Sequence, residues 1–393
     1  MRCPKCSGWV TPDIQTCPSC KASIGDEKPV GSVAERHRQE IDRNWETWKN
    51  EMPGPDFESV AGAPSFSSPV SPVAAPNVAA SGPPVEVEPW GILNFLLLHA
   101  GWSPFRSLKV RGDTRGKTLR VRSVPEMVQA ATFPLGSLAG PGEPEPPVLT
   151  PSYEKFFALD EAIRAQLDVE VVDGDKVLFS QSFPVTAQNP NEWINGEGVE
   201  AALAGVVTPN AKDVVEAVAA LSGDWVGYQA RDPRRIRQEA ARIYTGIAQM
   251  GLSYIGIPPS FEGSGQKVLF PDEVLAARRG CCIDLATLTA AMLERAGHNP
   301  VIVLVEGHAY TGVWTSDIRA KQPVLHDAAV VAECVEKGDL LVWNSTTYFG
   351  SEDARGFETA EKAGVSHLGK FRYLLDLAAC REHGFKPVPR RTA

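Results

Sequence analysis

The chain lacks a long apolar run. Its longest early hydrophobic stretch, Ile92 to Leu98, is far too short to cross a bilayer, so no membrane partner is expected. No apolar h-region follows Met1-Arg2-Cys3, so no secretory signal is read and the expected compartment is the cytoplasm. Basic charge is not in excess. A formal net charge of -9 argues against broad non-specific nucleic-acid binding, and leaves open only a local basic patch. Cysteine is scarce, at 8 in 393 residues. Four lie at the N-terminus and four elsewhere, which suits a reducing compartment better than a disulfide framework. There is no internal repeat. What remains is ordinary globular composition, 43% hydrophobic and 22% charged, with length for about two or three domains.

Cys3-x-x-Cys6 and Cys17-x-x-Cys20 are two paired knuckles. Each pair can set two thiolates on one tetrahedral metal ion, and a structural zinc takes four ligands. A zinc ribbon over 1–25 is therefore expected, with structural Zn2+ bound by Cys3, Cys6, Cys17 and Cys20. So small a segment has almost no core, and the metal would supply its folding energy. Residues 26–52 read as a polar helix, with Ser32 as a cap, Glu35 three residues on, and Trp45 and Trp48 on one stripe. Residues 53–86 are rich in Pro, Ala, Ser and Val and read as a disordered linker.

Residues 87–190 carry short β-like runs at Ile92 to Leu98, Ser107 to Arg111, Thr118 to Val124, Leu167 to Val172 and Val177 to Phe183. Asp173-Gly174 signals a hairpin turn between the last two, and the set predicts a small β-sandwich. Lys109, Arg111, Arg115, Lys117, Arg120 and Arg122 crowd its early strands. Alternating charge of this kind marks a solvated face first and a phosphate-binding patch second. Helical patterns follow at Asn210 to Leu221 and Pro233 to Met250, the latter with Asp232 as cap and Pro233 in its first position. Phe357 to Cys380 also reads as helix, on the stripe Phe371, Leu374, Leu375, Leu377 and Ala378. His326, His367 and His383 have no evident partners, and Cys334 and Cys380 read as packing thiols.

The chemistry concentrates in 191–393. Gly280 is expected to turn the chain tightly. From Cys282 onward Ile283, Leu285, Leu288, Ala291, Met292 and Leu293 recur at helical spacing until Gly297. Cys282 thus falls near a helix N-terminus, where unpaired N–H groups and the dipole favour a thiolate. Val301 to Val305 reads as a buried strand with His308 on its continuation. Leu340 to Trp343 is the next such strand, with Asn344 at its end, whose amide oxygen can accept from the histidine ring. Cys282, His308 and Asn344 form a workable set for acyl transfer through a thioester. Asp284 reads as structural, and Gln266 as a weak oxyanion donor or a surface amide. Tyr254 and Phe261 lie in a loop expected to line a cleft.

These residues resemble the transglutaminase-like superfamily of cysteine enzymes. The matching pieces are Gly280, Cys282, Asp284 and Ala286, the step Gly307-His308-Ala309, Val313-Trp314 and Asn344-Ser345-Thr346. The superfamily usually shows Asp-Pro-Thr at that last place, so Asn344 is a departure. A second resemblance, over roughly Trp90 to Pro389, is to the N-terminal module of bacterial helicase/nuclease fusion proteins. It rests on Val207 to Asn210, Gly227-Tyr228-Gln229, Tyr254 to Phe261, Gly265 to Val268, Glu306 to Ala309 and Gly384 to Pro389. Here the chain stops at Ala393, so the motor and nuclease are expected to be absent. The expected fold class is α+β, a transglutaminase-like (papain-like) domain preceded by a β-sandwich and a zinc ribbon. The resemblance implies a cysteine peptidase or hydrolase acting on protein or peptide amides. The alternative is a non-catalytic adaptor for a protein or nucleic-acid partner, such as a helicase or nuclease in anti-phage defence.

Overall fold

The structure is a computed structural model. It describes residues 84–138, 146–221, 223–227, 232–256, 265–317, 319–349 and 356–390. The expected zinc ligands Cys3, Cys6, Cys17 and Cys20, the helix of 26–52 and the linker up to residue 83 lie outside these. The elements below belong to one unit, Pro64–Asn195 with Val199–Ala393.

The first element of the described residues is β1 (Val85–Pro89), which begins at Val85 and Glu86, the last two positions of the segment expected to be linker. Next come β2 (Ile92–Leu93), β3 (Phe105–Val110), β4 (Lys117–Val124), β5 (Ala131–Pro134), β6 (Ile163–Asp173) and β7 (Lys176–Ala187). β1 and β3 form a two-stranded ribbon, and the others a five-stranded sheet of order β2-β7-β6-β4-β5. Where a sandwich of two sheets was expected, there is thus one sheet and a separate ribbon. The Asp173-Gly174 signal is the β6–β7 hairpin, with Asp173 opposite Lys176 and Gly174 at φ +56.

Ile92 to Leu98 is not one strand. The side chain of Asn94 accepts from the Leu97 N–H at 3.0 Å and starts a short helix, Phe95–His99. A local cap has overridden the apolar run. The crowded arginines are paired across or beside their strands, Arg111 with Glu86, Arg115 with Asp113, Arg120 with Glu170 and Arg122 with Asp168. This is the arrangement of a solvated face.

Two short pairings then bring distant segments together. β8 (Glu192–Trp193) pairs with β10 (Gln266–Lys267), and β9 (Ser253–Tyr254) runs parallel to β11 (Arg279–Gly280). The second five-stranded sheet is built of β12 (Pro300–Val305), β13 (His308–Trp314), β14 (Val324–Leu325), β15 (Leu340–Trp343) and β16 (Phe371–Asp376). Its order is β14-β16-β12-β13-β15, antiparallel throughout. Around it stand α1 (Lys212–Ala220), α2 (Pro233–Gln249), α3 (Pro271–Ala277), α4 (Cys282–Arg295), α5 (Ala328–Glu336), α6 (Phe357–His367) and α7 (Leu377–Glu382).

α4 is the core helix. Every residue from Cys282 to Leu293 is buried, so the helix is covered on all sides rather than showing one face to solvent, and its polar Asp284, Thr287 and Thr289 are buried with it. It packs on β13 and against α1, α2 and α3. Ile302, Leu304, Ala309, Val313 and Trp343 share its hydrophobic cluster. Val301, Val303, Tyr310, Trp314, Leu340 and Val342 form a second cluster with Val331 and Cys334 of α5. Covered on both faces, β12 reads as an unbroken apolar run instead of an alternation. The first cluster runs from Val85 through Trp193 to Val388, across position 190, where the sequence reading put a boundary.

The structure also corrects part of the helix expected over Phe357 to Cys380. Phe357–His367 is helical, as α6, and the chain is helical again over Leu377–Glu382, but Phe371–Asp376 between them is the strand β16 beside β12. A short apolar run does not distinguish strand from helix by period alone. Asp376 makes the switch. Its buried carboxylate accepts from the Ala379 N–H at 2.9 Å, from Trp314 Nε1 at 2.9 Å and from the Ala320 N–H at 3.1 Å. Asp376→Ala removes a cap and strands buried donors, effects of about 1 kcal/mol and 1–3 kcal/mol respectively. The expected result is a urea midpoint well below that of the parent; an unchanged midpoint would show that these bonds contribute nothing net.

Candidate active site

Cys282 is the first residue of α4, and Cys281 is its N-cap in extended conformation. Asp284 holds this helix start from inside. Its Oδ2 accepts from the Cys281 N–H and its Oδ1 from the Leu269 N–H, each at 2.8 Å. Gly280 makes room for it: a Cβ on Gly280 would lie 3.0 Å from the Cβ of Asp284. The expected tight turn at Gly280 is absent. The residue sits in β11, opposite Tyr254, and is glycine for space rather than for a left-handed φ.

His308 arrives by a two-residue hairpin. Val305 pairs with His308, and Gly307 between the strands takes φ +68, a conformation that favours glycine. His308 is therefore the first residue of β13, at the end of the sheet nearest the α4 N-terminus. Its Nε2 lies 3.0 Å from Asn344 Oδ1. That oxygen also accepts from the Thr346 N–H at 2.9 Å and the Thr346 hydroxyl at 2.8 Å. A backbone N–H can only donate, so the atom facing it is the amide oxygen. The histidine nitrogen on that oxygen must then carry its proton. The other ring nitrogen, Nδ1, is left for the sulfur, and His308 and Cys282 are hydrogen-bonded to each other. The structure thus brings the three expected residues together.

The electrostatics follow. Cys282 is held below the usual thiol range by the hydrogen bond from the Cys281 thiol; against the cost of burial, His308 adds a hydrogen bond and its charge, and the Ala309 N–H a further bond. Cys281 is pushed up, by that same hydrogen bond, by burial and by the Asp284 charge. Burial opposes charging of His308, but its bonds to Cys282 and Asn344 outweigh this and raise it. The pair is therefore biased toward thiolate and imidazolium.

Four neighbours stand around the pair; the sequence offered Tyr254 as a cleft residue and Gln266 as a weak oxyanion donor, but gave no sign of Phe349 or of a role for His367. The Tyr254 hydroxyl is hydrogen-bonded to the Cys282 sulfur; burial and the cysteine charges push it up to about 12, although the ring is 42% exposed. Phe349 lies against that ring, at 5.7 Å between centroids. His367 is not partnerless: it stands edge-on to His308 at 5.3 Å, and burial and the His308 charge lower it. Gln266 is not a surface amide. It is 4% exposed, with its Nε2 3.9 Å from the Cys281 sulfur. Only tertiary pairing brings these groups in. β9 carries Tyr254 and β10 carries Gln266, each a strand of two residues with no period to detect. Trp314, part of the resemblance at Val313-Trp314, belongs to the second cluster and donates to Asp376. Among the described residues no cluster of His, Cys, Asp or Glu is placed to hold a metal ion.

Because its pKa is depressed, Cys282 is expected to alkylate with iodoacetamide at a rate still high at pH 6. In His308→Ala the rate should fall off below an ordinary thiol pKa of about 8.5. Asn344→Ala should give an intermediate profile. Identical pH profiles in all three would refute the ion pair.

A family model described as a transglutaminase-like domain matches residues 226–331, which include Cys282 and His308 and end before Asn344. No curated protein and no solved structure matches the chain. No helix among the described residues is long and apolar enough to cross a membrane. The mixed helix and sheet content and the matched segment agree with an α+β chain carrying a transglutaminase-like domain.

Proposed function

We propose that the chain is a cysteine-dependent acyl-transfer enzyme acting on protein or peptide amides, a peptidase or deamidase, through Cys282, His308 and Asn344. The reading is supported by one observation above the rest. His308 has Asn344 Oδ1 at 3.0 Å from Nε2, which leaves Nδ1 for the Cys282 sulfur that interacts with the same imidazole. An isolated buried cysteine would carry no such argument.

The Cys282 thiolate attacks the amide carbonyl. The oxyanion is stabilised by the Cys282 N–H, which has no intrahelical acceptor in the first turn, and by the dipole of α4. Imidazolium Nδ1–H protonates the leaving nitrogen as the C–N bond breaks, giving a thioester. Neutral His308 then takes a proton from water, which attacks the thioester and restores the thiolate. Asn344 keeps the ring in one tautomer through both steps, as the third member of a triad does. Asp284 touches no reacting atom and acts by holding the start of α4.

A peptide probe with an electrophilic carbonyl should label the parent protein at Cys282, and Cys282→Ala should lose the label entirely; persistent labelling would overturn the assignment. With water as acceptor, an amide substrate offered together with a primary amine should yield mainly the free acid. Predominant amine adduct would instead make the chain a transferase.

A further inference from the structure

Cys281 is a second thiol directly beside the nucleophile, and the proposed mechanism gives it no chemical step. It is 2% exposed, beside a Cys282 that is 7% exposed, and the two thiols are hydrogen-bonded to each other. The bond to Cys282, burial and the Asp284 charge keep it protonated, against the opposing pull of the Asp284 N–H. The Asp284 N–H donates to its sulfur, and Gln266 Nε2 approaches the same sulfur at 3.9 Å. The other two described cysteines offer no comparable pair. Cys334 and Cys380 are buried in the body of the fold, where burial raises both thiols, Cys380 to about 12.

We propose that Cys281 and Cys282 are an oxidative modification site, at which a peroxide converts the pair to a disulfide between adjacent residues and so stores the nucleophile in a recoverable form. The inference rests on the reading of Cys282 as the reactive thiolate. In the first step the thiolate attacks the peroxide. An S–O bond forms, the O–O bond breaks, hydroxide leaves, and sulfur loses two electrons to give a sulfenic acid. In the second step the Cys281 sulfur attacks the oxidised sulfur. An S–S bond forms, the S–O bond breaks, and the Cys281 proton leaves with the hydroxyl group as water. A thiol reductant reverses the bridge by exchange.

Two features favour this course over further oxidation. The resolving thiol is already in contact, so bridging competes well with a second peroxide. The bridge is also built to be labile. Adjacent Cα atoms stand about 3.8 Å apart across a trans peptide, below the usual disulfide span of about 4.4–6.8 Å. A strained bridge is more readily reduced and belongs with regulatory rather than structural disulfides. Forming it also takes the Cys281 sulfur from the Asp284 N–H, so oxidation both blocks the nucleophile and loosens the first turn of α4.

The test uses the full chain and hydrogen peroxide. After treatment, free thiols are blocked under denaturing conditions and the protein is cut with trypsin. The peptide Gly280–Arg295 holds Cys281 and Cys282 and no other cysteine. Fragment ions separate oxygen on these sulfurs from oxygen on Met292. The expected product is this peptide short of two hydrogens and unblocked at both cysteines, returned to two blocked thiols by prior dithiothreitol. In Cys281→Ser the same treatment should leave no bridge and carry Cys282 on to products with two or three added oxygens. If the parent accumulates those oxygen adducts as fast as Cys281→Ser, the inference fails while the thiolate reading stands. If Cys282 stays unoxidised where other thiols react, both fail. The parent digest decides the question even where the variant does not fold.

Discussion

One oxygen organises the candidate site. Asn344 Oδ1 receives the His308 ring N–H, the Thr346 N–H and the Thr346 hydroxyl. The two contacts from Thr346 are local, two residues along the chain, and cost little entropy to hold. They fix which way the amide faces before the histidine is considered. The histidine tautomer follows, and with it the nitrogen that meets the sulfur. Fixed rotamers in a buried pocket are what preorganisation consists of, since no group need reorient as charge moves.

The start of α4 is arranged on the same logic. A helix N-terminus presents free N–H groups and positive potential, which favour an anion there. The obvious anion is Asp284, in the first turn. Its two carboxylate oxygens are turned inward onto the Cys281 and Leu269 N–H groups, and its burial opposes its own ionisation. The free N–H at the mouth of the helix is thereby left for the sulfur and whatever is bonded to it. Gly280 is the packing condition for this, because any larger residue would meet the Asp284 side chain.

The parts of this legible in the sequence were those with a period or a fixed local partner. The α4 pattern placed Cys282 at its N-terminus, and the Asp232 cap of α2 is present, its side chain accepting from the Arg234 and Arg235 N–H groups. Buried strands β12 and β15 were visible as apolar runs, which put His308 and Asn344 at strand ends. Tyr254 and Gln266 were visible as candidates, but not the pairings of two residues that deliver them; illegible altogether was the contact of His367, the last residue of α6, with His308. The β16 error has the same root. The run Phe371 to Asp376 and the helix after it share an apolar character, and only Asp376, a cap whose partners include Trp314 from another strand, tells where one ends.

An asparagine at position 344, where the sequence resemblance implies an aspartate, has a physical reading in this setting. Cys282 and His308 are biased toward a thiolate and an imidazolium, whose charges cancel. Asp284, buried beside them, carries a negative charge that Cys282 itself disfavours. A carboxylate at 344 would add another buried anion to a site with one cation. Its benefit to the imidazolium would be set against repulsion of the thiolate and of Asp284, together with its own desolvation. A neutral amide gives the histidine the same acceptor geometry without that cost. The thiolate then depends more on its hydrogen bonds, from Cys281, His308 and the Ala309 N–H, than on a third charge. This is also why a second cysteine next to the nucleophile is chemically consequential here: the group that helps to hold the anion is itself a thiol.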